Sequence, residues 1–160
     1  MAEIALLLEA LDQAYDRRAW HGTNLRGSLR GMSAEEAAWR PGPGRHNVWE
    51  LALHAAYWKY VASLRIRGEK RGSFAYPGSN FFERPDGLPT EKSWKADLVL
   101  LGQYHAQLRA TVAALDPSKL EVKLNNWTVR QTILGAAMHD TYHAGQIQLL
   151  KRLREETTWH

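Results

Sequence analysis

"TILGAAMHDTYHAGQIQLLKRL" (132–153) decides how this chain folds. Ile133, Ala136, Ile147 and Leu150 recur at helical spacing, so the run reads as one long amphipathic helix. His139 and His143 stand on the same stripe, four residues apart, with Gln146 close to one turn beyond. Residues at i and i+4 share a helix face, with Cβ atoms about 5–6 Å apart, so both rings can reach one ion at about 2.0–2.1 Å. Seven histidines scattered over 160 positions would give about 0.3 such pairs by chance, and spacing alone is therefore a weak signal. The setting strengthens it. The pair is mid-helix, and Gly135, Ala136, Ala137, Ala144 and Gly145 around it leave room for a close neighbour or a hollow.

Three further helical patterns precede this one. The first spans 3–29, with Ile4, Leu7, Leu8, Leu11, Tyr15, Gly22, Leu25 and Leu29 near one stripe. The second spans 48–67, with Val48, Leu51, His54, Ala55, Trp58 and Ala62 on its apolar side. Asn47 caps it, and Glu50 stands where a capping box places an acid. The third spans 91–115 behind Thr90, and the last, 129–153, opens on a second capping pair, Thr128 with Gln131. Ser33 with Glu36 marks a short helical turn in the first connection. "LEVKL" (120–124) is discounted as a strand.

Four long amphipathic helices in a single 1–160 domain predict an all-α four-helix bundle. The connection between the second and third helices, with Pro77, Pro85 and Pro89, is about 22 residues long. It can run the full length of a bundle, so these two helices need not be antiparallel neighbours.

Composition narrows the function. The chain has no cysteine, which excludes a disulfide scaffold, a thiolate metal site and a cysteine nucleophile, and suits a reducing cytoplasm. No apolar run is long enough to span a membrane, and the N-terminal run reads as an amphipathic helix, not a secretory leader. The net charge of +4 raises the question of nucleic acid, but the bases are scattered. Their densest groups, 65–72 and 151–154, lie where helices end and cations complement the helix dipole. No nucleic-acid partner is expected.

His54 sits mid-stripe on the second helix among alanines, much as the pair does on the fourth. Three histidines from two helices facing one core would make a three-nitrogen site with open positions, the catalytic and not the structural pattern. Core imidazoles satisfied by carbonyls, or a proton relay, are the alternatives. Three imidazoles in one apolar core are hard to satisfy in the first way, which favours a metal. His21, read as part of the first helix, is a candidate inward ligand or substrate contact. His46 is read as a loop residue and His105 as a partly exposed neighbour of the third stripe, while His160 is the last residue. Gln146 and Trp58 are candidate substrate contacts, and the 68–89 loop, with "FAYPGSNFF" (74–82), is a candidate lid or dimer surface. "HDTYH" is one methylene short of the H-E-x-x-H protease signature. The metzincin continuation is absent, with Gln146 and Leu149 where Gly and His belong.

"VWELALHAAYWKY" (48–60) followed by "MHDTYHAGQIQLLKRL" (138–153) resembles the DinB/YfiT-like superfamily of metalloenzymes, over nearly the whole chain. The resemblance implies a four-helix bundle in an up-down-down-up arrangement, often dimeric. It also implies one divalent ion, zinc or nickel above all, on His54, His139 and His143. Activities in that superfamily include joining low-molecular-weight thiols to electrophiles, so a small-molecule substrate, a thiol cofactor, S-transfer and a homodimer are the expectations. Metal-dependent hydrolysis of a small ester or amide, or a non-catalytic metal-binding stress protein, are the alternatives.

Overall fold

Helix starts follow the capping chemistry written in the sequence. In the structure, a computed structural model describing residues 2–70, 72–82 and 89–157, Asn47 Oδ1 accepts from the Glu50 N–H at 2.8 Å and opens α4. Thr90 Oγ1 accepts from the Ser93 N–H at 3.1 Å and opens α5. Thr128 and Gln131 cap α6 reciprocally, each side chain accepting from the other's N–H. The long helices are α1 (Ala2–Tyr15), α4 (Val48–Arg67), α5 (Glu91–Ala113) and α6 (Val129–Thr157), with short α2 (Leu25–Leu29) and α3 (Ala34–Ala38) between the first two. Gly68, in the left-handed region at φ 68°, closes α4. Pro85 and His160 lie outside the described residues.

The helix expected over 3–29 is broken. The N–H groups of Asp16 and Arg17 both return to the Asp12 carbonyl, and Gly22 takes φ 103° in a tight turn bridging Ala19 and Gly22. Asn24 then restarts the chain: its Oδ1 accepts from the Gly27 N–H while its amide donates to the Arg17 carbonyl. Leu25 and Leu29 are nevertheless buried, so the apolar positions are right and only the continuity between them is wrong. A second difference is a short antiparallel hairpin, β1 (Lys123–Leu124) with β2 (Trp127–Thr128), turned by Asn125 at φ 58°. It pairs residues inside and just beyond the discounted "LEVKL", and its second strand runs directly into α6.

Side-chain pairs fix the helix directions. Trp49 meets Asp97 and Arg67 meets Thr111, so α4 and α5 run parallel. Asp12 meets Arg109, while Tyr15 stacks on His105, so α1 and α5 are antiparallel. Glu3 pairs with Arg130 at the start of α1 and α6, which run together. His54 meets His139 and His143, while Ala62, about two turns on, packs in one cluster with Ile133 and Ala137, making α4 and α6 antiparallel. The order along the chain is up, down, down, up, and the long connection carries the crossover between the two parallel neighbours.

α4 is the central element. From Val48 to Leu64 every side chain except Trp58 is buried, as expected of a helix apolar nearly all round. Beyond its helical neighbours, Phe74 and Phe82 of the crossover close over Tyr57 and Tyr60. One buried ion pair crosses the core, Lys59 of α4 to Asp140 of α6. Among the described residues no helix is long and apolar enough to cross a membrane.

Candidate metal centre

His54 enters the core from α4, and His139 and His143 from α6. His139 Nε2 lies 3.0 Å from His54 Nε2 and 2.9 Å from His143 Nε2, and the three candidate ligand atoms fall within 4.8 Å of one another. The cluster contains no carboxylate.

The opposite edges of two of these rings decide what the converging nitrogens can do. His54 Nδ1 lies 2.8 Å from the Asn80 carbonyl oxygen, which can only accept, so the proton is on Nδ1. His143 Nδ1 lies 2.6 Å from Gln146 Oε1, while Gln146 Nε2 donates to the Tyr142 hydroxyl, so His143 is likewise protonated on Nδ1. In the neutral rings both Nε2 atoms then present lone pairs toward His139 Nε2. A proton on His139 Nε2 can serve only one of them, whereas a cation serves all three. Burial keeps the rings neutral: it lowers the pKa of His54 to about 4 and of His139 to about 3, and depresses that of His143. The donor set therefore fits a borderline divalent ion such as zinc or nickel, which neutral imidazoles bind well.

The walls come from the crossover segment. Phe81 stacks on His54 with centroids 4.1 Å apart, and on its other side lies His46 at 3.7 Å. Asn80, held in the left-handed region at φ 72°, turns its carbonyl to His54 and its side-chain oxygen to Trp58 Nε1, 3.0 Å away. Trp58 also meets the His54 ring edge-on at 6.3 Å.

His54, His139 and His143 thus come together as the spacing predicts. Gln146 is engaged behind the His143 ring, by His143 and Tyr142, and Trp58 forms a half-exposed wall. His21 is a correction: the break after α1 puts it on an exposed turn, outside the cluster. His105 is a second, buried rather than partly exposed because Tyr15 of α1 stacks over it at 3.8 Å. His46 is the loop residue expected, and contacts Glu50. Glu50 does not complete the capping box, because its carboxylate is taken by Arg40 and His46.

Sequence reading missed two parts. Asn80 and Phe81 belong to the stretch read as a candidate lid or dimer surface, but its lack of periodicity left their contacts with His54 unread. Lys59 was legible as a lone cation inside an apolar helix, which calls for a buried acid. Asp140, fully buried, is that acid. Burial pushes its carboxyl up from the usual range and Lys59 pulls it back.

A crystal structure of a conserved protein from Enterococcus faecalis shares this fold with a TM-score of 0.69, over 93% of this chain and 95% of that one, at 18% identity. No curated protein matches the sequence. The fold and three converging imidazoles fit a metal-binding protein, and the sequence matches the DinB superfamily over residues 4–147: the chain belongs to that superfamily.

Proposed function

We propose that this protein is a metal-dependent enzyme that joins a low-molecular-weight thiol to a small electrophile. The observation that carries the reading is the convergence of three neutral imidazole nitrogens with no carboxylate among them. A divalent ion held there keeps its full charge and open positions, and would lower the pKa of a thiol or a water. In the reaction with an epoxide, a C–S bond forms, a C–O bond breaks, and the thiol proton ends on the freed oxygen. The chain has no cysteine, so the thiol comes from a cofactor. His54 and His143 are held by Asn80 and Gln146, and Phe81 and Trp58 pack against the His54 ring.

Hydrolysis of a small ester or amide is the second reading, and it needs a base beside the attacking water. Asp140, next to His139 in the chain, is paired with Lys59, and Glu50, one turn before His54, with Arg40 and His46. That engagement favours S-transfer. The test incubates metal-loaded protein with a panel of low-molecular-weight thiols and an epoxide or aryl halide, and looks for the thioether by mass spectrometry. A thioether that is lost in His54→Ala supports the proposal. Turnover of a nitrophenyl ester without any thioether would establish the hydrolase, and neither product would leave a non-catalytic metal-binding protein. Light scattering on the same samples checks the expected homodimer.

A further inference from the structure

A cleft runs between α4 and α6 away from the three histidines. Its volume is about 460 Å³, within the range of roughly 300–1,000 Å³ typical of small-molecule sites. His139 and Trp58 form the end nearest the imidazole cluster, Ala62 and Gly135 keep it open between the helices, and Trp127 is an apolar wall.

Its polar groups are almost all engaged within the protein. Lys59 and Asp140 are paired with each other. Gln131 Oε1 accepts from the Thr128 N–H, and Thr132 Oγ1 donates to the Thr128 carbonyl. Arg65 is the exception. It is exposed, its guanidinium carbon lies 5.8 Å from the centre of the Trp58 ring, and among the described residues no carboxylate pairs with it. Arg67, two positions on, is by contrast bound to Glu69. From the cluster outward, the His54 ring, the Trp58 ring and the Arg65 guanidinium follow one another at 6.3 and 5.8 Å. An apolar trough therefore begins at an imidazole and ends at one unpaired cation.

We propose that this cleft binds the electrophilic substrate as an amphipathic monoanion, with an aryl or medium-chain aliphatic body along Trp58 and Trp127 and a carboxylate on Arg65. Burial of the apolar body supplies most of the affinity. The guanidinium supplies selectivity, because its planar fork matches a carboxylate and its stacking on Trp58 presets its orientation. What reacts at the His139 end rests on the function proposed above, whereas binding in the cleft does not.

Isothermal titration calorimetry of the full chain, metal-free and zinc-loaded, tests this with phenylbutyrate and its uncharged amide. Wild type is expected to bind the acid saturably, one per chain, about fivefold more tightly than the amide. Arg65→Gln should weaken the acid to the level of the amide and leave the amide unchanged. Gly135→Leu should abolish binding of both. A Cβ at Gly135 meets no atom within 4 Å, so the helix has room for a side chain there, and an undiminished thermal midpoint shows that the fold is intact. No saturable binding to wild type, equal binding of acid and amide, or an Arg65→Gln variant that binds like wild type would overturn the proposal. Metal content is measured on the same samples. Full metal without ligand binding rejects the cleft and leaves the metal reading standing, whereas ligand binding without metal uptake does the reverse.

Discussion

An imidazole that donates through Nδ1 keeps its Nε2 lone pair for a cation, and two residues enforce that choice here. Asn80 does so for His54 with a backbone carbonyl, and Gln146 for His143 with a side-chain oxygen. Groups in that position typically carry 10- to 100-fold in metal affinity. Gln146→Leu should therefore weaken zinc binding by about tenfold or more without unfolding the protein, as read by competition with a chromophoric chelator. The three-histidine cluster was legible because helical spacing is a strong constraint: four residues on one helix and one mid-stripe histidine on another leave few other geometries. Gln146 was legible as a neighbour, but its contact with His143 was not, because spacing places a side chain on a face without saying which ring it meets. Asn80 was not legible, since its role depends on where a non-periodic segment crosses α4.

The seam between α4 and α6 sets the frame of the site. Sequence reading put Ile133, Ala136, His139, His143, Gln146, Ile147 and Leu150 on the stripe of the last helix. In the fold Ile133, Ala137, Asp140, His143, Ala144 and Ile147 are buried, and Ala136, His139, Gln146 and Leu150 are half-buried at the edge. Asp140 is buried beside that stripe because Lys59 of α4 pairs with it in the core. Removing one partner of a buried pair strands the other charge. Lys59→Met should cost about 3–5 kcal/mol in urea denaturation, and Lys59→Met combined with Asp140→Leu should recover most of that loss. The break after Tyr15 escaped reading. Leu25 and Leu29 keep the helical phase of α1 across the turn, and phase alone carries no information on whether the backbone between them is continuous.

At the scale of the molecule, the parallel arrangement of α4 and α5 forces a long crossover, and that crossover brings Asn80 and Phe81 onto His54. Topology and site are one requirement. The helix number and the possibility of a crossover could be read from pattern and loop length, whereas helix directions come from pairs such as Trp49 with Asp97 that no periodicity reveals. Burying imidazoles also sets a pH dependence. His54, His105 and His139 are depressed to about 4, 3 and 3 by burial, so the unfolded chain takes up protons near pH 6.5 while the folded one does not. Folding free energy of the metal-free protein is then fully present above about pH 6.5 and falls as the pH drops toward 4, by about 1–3 kcal/mol for each group. Denaturant midpoints measured from pH 7.5 down to 4.5 check this, and bound metal should steepen the loss, because protons compete for the same nitrogens. The most direct test of the three-imidazole site is elemental analysis of tag-free protein beside His54→Ala, His139→Ala and His143→Ala. About one zinc or nickel per chain in the wild type, lost in all three variants, is the result expected. A wild type that holds no metal after incubation with zinc, nickel, copper and iron, or variants that keep it, would contradict the account and reduce the three histidines to residues of the core.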